Sequence, residues 1–169
     1  SLVANNYVQS DGVGLAKGIS LETNGSGSDV VFNSVNVTGT DVVNGQGITV
    51  NGGTNYRVKN NIFANNGGGY AAYINSDIST FDWDFNNYYS TKNSLAFYSG
   101  NSYDTLSSLV AASGKDSNSL SVNPLYTSTT DLSINHTLLN NVATPLSIVL
   151  DDIEGTSRLA TPDIGAKEY

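Results

Sequence analysis

The chain has 169 residues, with 7 Lys and Arg against 15 Asp and Glu, a net charge of −8, and neither cysteine nor methionine. This composition excludes disulfides and thiol chemistry, and it disfavours nucleic acids and anionic membranes as partners because no basic patch is present to meet their phosphates. No apolar run reaches the roughly 18 residues that a membrane-spanning helix needs. The low charge, with abundant Asn, Ser, Thr, Gly and Tyr, is typical of a secreted, extracellular β-protein that binds neutral polysaccharide.

The first third of the chain predicts short strands separated by turns. Residues 2–8 have the pattern of the last strand and corner of a coil, so we expect a domain cut from a longer protein. Residues 18–22 match residues 47–51 at a spacing of 29, and the glycine-rich residues 23–29 form an insertion between them. Residues 30–37 are the expected partner of residues 58–63.

The middle of the chain contains one unit twice and begins a third. Asn51 and Asn75 are 24 positions apart, and the asparagine pairs at 60–61 and 86–87 are 26 apart. Such short alternating strands cannot bury their apolar edge alone, and parallel stacking of the units solves this by forming a solenoid. Asparagines at the corners would tolerate left-handed backbone and bond along a ladder. An antiparallel sandwich is the alternative, and the recurring Asn-Asn pairs disfavour it.

The chain changes character after the repeats. Residues 104–113 have helical periodicity, and Gly114 is expected to end that helix. Residues 119–126 and 131–134 suggest two more strands. The coils would then occupy residues 1–126, and an irregular tail at 127–169 would cap their open end. The prediction is one all-β domain, a parallel β-helix of about four to five coils with one short helix and a C-terminal cap.

Three segments resemble secreted bacterial right-handed parallel β-helix proteins of the pectate-lyase-like superfamily. They are residues 84–89, residues 114–126, and the ending formed by residues 152–158 and 162–169. The ending departs from the usual pattern after Arg158, where Leu159 replaces Pro, and at Lys167, which replaces Tyr. The resemblance implies a right-handed coil but no single activity, because the superfamily contains lyases, glycosidases, epimerases, adhesins and binding modules.

Two charged pairs are candidates for catalysis. Arg57 and Lys59 share one strand face and could approach an acidic sugar, as a polysaccharide lyase requires. Asp82 and Asp84 are paired in the same way one coil later, where they could hold calcium or act as glycosidase carboxylates. The favoured alternative is that both pairs are solvated or form ion pairs between coils.

Other catalytic motifs are missing from the sequence. Of the motifs that polygalacturonases carry, only residues 57–59 (Arg-Val-Lys) are similar to one. Asp151 and Asp152 lie in the tail, and His136 is the single histidine, without a triad or a second zinc ligand. We therefore expect no enzymatic activity and a structural role for His136.

Aromatic residues suggest a binding surface instead, because sugar rings stack on aromatic planes while amides and carboxylates bond the hydroxyls. If Leu95 and Phe97 point inward, then Tyr73 and Tyr98 point outward on adjacent coils. Trp83 is a second anchor or, because it alternates with Phe81 and Phe85, a core residue. The predicted ligand-binding residues are Glu22, Asn51, Tyr73, Asn75, Tyr98 and Trp83.

The leading hypothesis is a monomeric, non-catalytic carbohydrate-binding module for a plant-cell-wall β-glycan such as xylan. It would be tethered to a catalytic domain in its parent protein and would need no cofactor, with calcium as an option. One alternative is a C-terminal fragment of a pectate-lyase-like polysaccharide lyase or glycosidase. A structural adhesin or stalk segment is the second alternative.

Overall fold

In the computed structural model, which describes residues 1–169, the chain forms a parallel β-helix of four coils with three strands each. The first coil contains β1 (Leu2–Ala4), β2 (Tyr7–Ser10) and β3 (Lys17–Leu21). The second contains β4 (Asp29–Val31), β5 (Ser34–Val37) and β6 (Gln46–Val50). The third contains β7 (Arg57–Lys59), β8 (Ile62–Asn65) and β9 (Tyr70–Ile74). The fourth contains β10 (Asp82–Asp84), β11 (Asn87–Ser90) and β12 (Ala96–Tyr98).

Corresponding strands of the four coils pair in parallel into three sheets. Sheet A contains β1, β4, β7 and β10, and sheet B contains β2, β5, β8 and β11. Sheet C contains β3, β6, β9 and β12, followed by the antiparallel strand β13 (Asn101–Tyr103). The solenoid prediction is confirmed, and so is the pairing of residues 30–37 with residues 58–63, which the structure extends to residues 57–65.

The interior is filled by columns of apolar side chains that the alternation places one above another. Sheet A contributes Val30, Val58 and Trp83, which are in register and buried. Matching columns come from sheet B (Val35, Phe63, Tyr88) and sheet C (Ile48, Ala72, Ala96). Each column continues across coils that are about 4.8 Å apart, so every inward residue contacts its counterparts above and below.

Asparagines connect the coils at the corner between sheets A and B. Each side-chain amide donates to the next side-chain oxygen, from Asn6 to Asn33 (2.9 Å), Asn33 to Asn61 (2.9 Å) and Asn61 to Asn86 (3.0 Å). The predicted ladder is confirmed, but its register differs at both ends. Asn6 rather than Asn5 forms the first rung. Asn86, the first asparagine of its pair, aligns with Asn61, the second of its pair. In each coil the residue before the rung takes the left-handed conformation.

One end of the solenoid is covered by β13 and by helix α1 (Leu106–Ser113), whose Leu109 enters the interior cluster. The Thr105 side chain caps the start of the helix, and Gly114, in the left-handed conformation, ends it as predicted. None of the helices has the length and apolar character that crossing a membrane requires.

The tail packs along the flank of the solenoid. It covers the outer face of the corner between sheets A and B, where a second apolar cluster forms. The coil members of that cluster are Val31, Phe32, Ile62 and Ala64, and the tail members are Ile134, Leu139, Ala143, Val149 and Ile164. The strands expected at residues 119–126 and 131–134 are not formed, apart from one bridge between Leu120 and Asn87. A short 3-10 helix spans Thr137–Leu139.

Candidate functional site

The outer face of sheet C brings together most of the predicted binding residues. One outward column runs through Ser20, Thr49, Tyr73 and Phe97, which are in register on successive coils. The Tyr73 and Phe97 rings stack with centroids 4.5 Å apart and planes 6° from parallel. That separation is close to the spacing between coils, so the stack follows directly from the parallel register.

Tyr70 enlarges this stack into a three-ring cluster. Its ring centroid lies 6.0 Å from that of Tyr73 and 6.1 Å from that of Phe97. The Lys92 Nζ atom lies 3.7 Å from the centroid of the Tyr70 ring, a cation–π contact that covers this ring. The Tyr70 hydroxyl is 2.8 Å from the Ser102 hydroxyl. Tyr70 therefore has contacts on several sides, and Tyr73 lies against the rings of Tyr70 and Phe97.

A polar column lies beside the rings, at the ends of the strands. Glu22 and Asn51 follow the paired residues Leu21 and Val50, and the Asn51 amide donates to both Glu22 carboxylate oxygens (3.3 and 3.2 Å). The Ser20 hydroxyl donates to Glu22 at 2.6 Å. Hydrogen bonds from Ser20 and then Asn51 hold the pKa of Glu22 below its usual value. The carboxylate is thus charged and fixed in direction near neutral pH.

Asn75 continues the polar column on the third coil. Its backbone N–H donates to the Val50 carbonyl at 2.8 Å, which sets it in line with Asn51, and its side chain is exposed. The structure therefore brings four predicted residues, Glu22, Asn51, Tyr73 and Asn75, to one outer surface. We call this surface, together with Phe97, the sheet C platform.

Tyr98 does not face outward, and the expected alternation around it is wrong. Tyr98 aligns with the buried Ile74 and packs against the interior, whereas Phe97 aligns with Tyr73 on the outside. The reason is a bend in sheet C, where Leu95 and Ala96 are both buried and belong to the interior cluster. Alternation starts only after this bend, so counting it from Leu95 shifts every later residue to the wrong face.

Trp83 is a core residue and not a surface anchor. It is 2% exposed, and its indole N–H donates to the Tyr88 hydroxyl at 2.6 Å. The Tyr88 hydroxyl in turn donates to the Asp116 carboxylate at 3.0 and 3.1 Å. Burial raises the pKa of Asp116 to about 7. This polar network lies inside the last coil and presents nothing to a ligand on sheet C.

Three of the four charged residues singled out on sheet A form ion pairs between coils. The Lys59 Nζ atom lies 2.6 Å from the Asp82 carboxylate, and the Arg57 Nε atom lies 3.4 Å from Asp29 and 3.8 Å from Asp82. Asp84 accepts hydrogen bonds from the Asn118 backbone (2.8 Å) and side chain (2.7 Å). The favoured alternative, ion pairs between coils, is confirmed for Arg57, Lys59 and Asp82.

Asp82 and Asp84, the residues considered for calcium, are engaged with Lys59 and with Asn118 respectively. No group of three or more His, Cys, Asp or Glu side chains is arranged to share a metal ion. His136 caps the 3-10 helix by accepting from the Leu138 backbone N–H through Nδ1. This position agrees with the structural role expected for it.

The acidic residues of the terminal segment are structural. Burial opposes ionisation of Asp152, but backbone N–H donors from Glu168, Thr156 and Glu154 outweigh it and lower the pKa of Asp152. Arg158 pairs with Glu168 at 2.7 Å, and both side chains are almost fully buried. These contacts hold the last residues against the flank of the solenoid.

Tyr70 and Phe97 could not be recognised from the sequence as outward aromatic residues, because the bend in sheet C displaces the simple alternation. None of the four cavities lies on the sheet C platform, and all are lined by residues of the tail and its neighbours. Comparison of the chain with protein-family models, curated proteins and solved structures finds no match.

Proposed function

We propose that the protein is a non-catalytic carbohydrate-binding module that holds a neutral β-glycan, such as xylan, on the sheet C platform. The observation that carries the proposal is the aromatic stack of Tyr73 on Phe97 beside the Glu22–Asn51 pair. Stacked rings supply an apolar surface, and the carboxylate and amide supply oriented partners for hydroxyl groups.

The column below Tyr73 explains where a sugar ring would lie. One face of Tyr73 stacks on Phe97, and the other adjoins Thr49 of the preceding coil, which is in register with it and is 1% exposed. Ser20, one coil further, is exposed and lies next to Glu22. A glycan lying along the column would contact the outer edges of the Tyr73 and Phe97 rings and reach the Glu22–Asn51 pair through its hydroxyl groups.

Charge favours a neutral glycan over an acidic one. The chain has a net charge of −8, and Glu22 places a carboxylate within the platform itself. Glu22 would repel a uronate there. Arg57 and Lys59 are on sheet A and paired with aspartates, and Lys92, beside the rings, is engaged by the Tyr70 ring and the Val42 carbonyl. The solenoid and the buried terminal segment also support the resemblance to pectate-lyase-like proteins, and an extracellular location fits this ligand.

The test is isothermal titration calorimetry and affinity electrophoresis with soluble xylan, β-glucan, mannan and polygalacturonate. We expect binding to at least one neutral glycan and weaker or no binding to polygalacturonate. Tyr73→Ala should weaken binding by about tenfold, in line with the ~1–3 kcal/mol typical of stacking on an aromatic side chain. Tyr169→Ala is the matched control, since Tyr169 is 61% exposed and lies in the tail.

Two results would remove the proposal. One is the absence of binding to all four polysaccharides by the folded protein. The other is an equal loss of affinity in the Tyr73 and Tyr169 variants, which would place the binding surface elsewhere.

A further inference from the structure

A second site lies between the outer face of sheet B and the tail, away from the platform and independent of the proposed function. A cavity of about 390 Å³ opens there. Asn36, Thr38 and Asn66 form its sheet side, and residues between 123 and 129 form its tail side. The volume falls within the range of about 300–1,000 Å³ typical of small-molecule sites.

The lining of the cavity is polar but carries no charge. Leu125 and Tyr126 supply its apolar surface. The Tyr126 hydroxyl donates to the Val35 carbonyl at 3.1 Å, and burial raises the pKa of Tyr126 well above its usual value, so this group stays neutral. The other lining residues present amides or hydroxyls, and they are Asn36, Thr38, Asn66, Asn123, Ser128 and Thr129.

Asn36, on β5, is the one buried residue of the lining and has an unpaired amide group. It is 3% exposed, and its Oδ1 atom accepts a hydrogen bond from Asn66 Nδ2 at 2.8 Å. Its Nδ2 atom donates to no group of the protein, yet it keeps accessible surface, because Arg158 Nε is the only fully enclosed side-chain nitrogen or oxygen without a partner. Since Asn36 lines the cavity, the amide opens into it. About nine in ten buried polar groups in native proteins have a partner, so this amide marks a position for an external acceptor.

Asn36 and Asn66 together offer a donor beside an acceptor. Their mutual hydrogen bond uses the Asn66 amide nitrogen and leaves the Asn66 Oδ1 atom without a donor, just as Asn36 Nδ2 is without an acceptor. The Thr38 hydroxyl accepts from Gln9 Nε2 at 3.3 Å, so its proton remains free to donate. A hydroxyl group both donates and accepts, and two adjacent hydroxyls can therefore pair with Asn36 and Asn66 at once.

Polarity and charge select the ligand. An ion would find no counter-charge in the lining, and an apolar molecule would leave the Asn36 amide and the hydroxyl groups unpaired. We propose that this cavity binds a small, uncharged, hydroxyl-rich molecule, such as a single neutral sugar unit. Its adjacent hydroxyl groups bond Asn36 and Asn66, and its ring lies against Leu125 or Tyr126.

The test is NMR titration of the ¹⁵N-labelled protein with glucose, galactose, mannose and xylose. At least one sugar should shift the Asn36 side-chain amide signals and the backbone amides of residues 123–129 in a saturable way. The uronate of the same configuration should bind about tenfold more weakly, because it brings a carboxylate to a site without a cation. Cyclohexanol, a six-membered ring with one hydroxyl, should also bind about tenfold more weakly, since it cannot pair with both asparagines.

Variants locate the site from the base and from the rim. Asn36→Asp keeps the side-chain shape and the acceptor for Asn66 but replaces the free donor by an oxygen, so it should weaken sugar binding about tenfold. The double change Asn66→Ala and Asn123→Ala removes two exposed amides, leaves the buried residue in place and should weaken binding about fivefold. Asn24→Ala with Asn93→Ala, two exposed asparagines outside the cavity, is the matched control and should bind like the original protein.

The proposal is overturned by any of three results. The first is no saturable shift of the Asn36 signals by any of the four sugars. The second is binding of the uronate or of cyclohexanol as tight as that of the sugar, and the third is unchanged binding in the rim double variant. A sugar that shifts only signals of the sheet C platform would overturn this proposal while supporting the proposed function.

Discussion

Asp116 is a single carboxylate whose surroundings make the stability of the whole fold sensitive to pH. It is 3% exposed and accepts hydrogen bonds from Ser119 (2.5 Å), Tyr88 and the Asn86 amide (3.4 Å). No cation is among these partners, so burial dominates and raises its pKa to about 7. Between that value and the unfolded value near 3.8, the native state binds a proton that the unfolded chain has released.

This linkage predicts the effect of Asp116→Asn. Because the native state binds more protons in the window, the contribution of Asp116 to stability falls as pH rises from about 4 to about 7, by on the order of 1 kcal/mol per pH unit. The asparagine variant should therefore be more stable than the original protein at pH 8, with a flatter profile between pH 4 and 7. Urea unfolding across this range, followed by Trp83 fluorescence, measures both.

Asp11→Asn, a change at an exposed position, is the control for this prediction and should leave the shape of the profile unchanged. A profile for Asp116→Asn that runs parallel to that of the original protein would contradict the assignment. It would mean that Asp116 is ionised in the native state throughout the range.

At the scale of the strands, period-2 alternation was enough to predict that Ile48 and Val50 face the interior, because they must face one way when a sheet is covered on one side. It left Trp83 open between the core and the surface. It failed where the backbone bends. Ala71 and Ala72 are both buried, as are Leu95 and Ala96, so one step of the alternation is lost. The sequence shows no sign of this bend, and the face of Phe97 could not be predicted.

The asparagine ladder carries a prediction for the corner between sheets A and B. Asn61 is fully buried, donates to the carbonyls of Val30 (2.8 Å) and Lys59 (3.0 Å), and accepts from the Asn33 backbone (3.0 Å). Asn61→Ala leaves these groups without partners, so we expect a loss of about 3 kcal/mol in the free energy of unfolding. Urea denaturation measures it.

Asn6→Ala is the matched comparison, because Asn6 forms the end rung and its amide bonds are partly exposed. Its loss should be about 1 kcal/mol, since water can replace the missing partners. Equal losses at the two rungs would show that the ladder contributes through backbone conformation alone and not through buried amides.

At the scale of the whole molecule, the protein has two apolar clusters, which lie on opposite faces of the same sheets. The first lies inside the coils, and the second lies between their outer flank and the tail. The sequence predicted the first from its repeats. It could not predict the second, because tail residues such as Leu139, Val149 and Ile164 are far apart in an irregular segment and follow no period.

Arg158 connects the tail to the flank of the solenoid. Its guanidinium carbon lies 3.7 Å from the centroid of the Phe32 ring, and one of its nitrogens donates to Asn5 at 2.8 Å. Through it the tail connects the first two coils.

Gly165 provides the test of whether the tail stabilises the coils. Its backbone N–H donates to the Asn60 carbonyl at 2.8 Å, and a Cβ atom added there would lie 2.8 Å from the Ile62 Cδ1 and Ser34 Oγ atoms. Gly165→Ala should therefore push the tail away from sheet B. We expect a loss of about 2–3 kcal/mol in the free energy of unfolding, combining overpacking with the strain of a positive φ angle.

Gly155→Ala separates these two effects, because Gly155 also has a positive φ angle (+81°) but no atom within 4 Å of an added Cβ. It should cost only the backbone strain, about 1 kcal/mol. The difference between the two variants, measured by urea unfolding, then reports the clash with the coils. If the two substitutions lower the free energy of unfolding equally, the tail moves away from the added methyl group without disturbing the solenoid. The second cluster would then contribute little to the stability of the first.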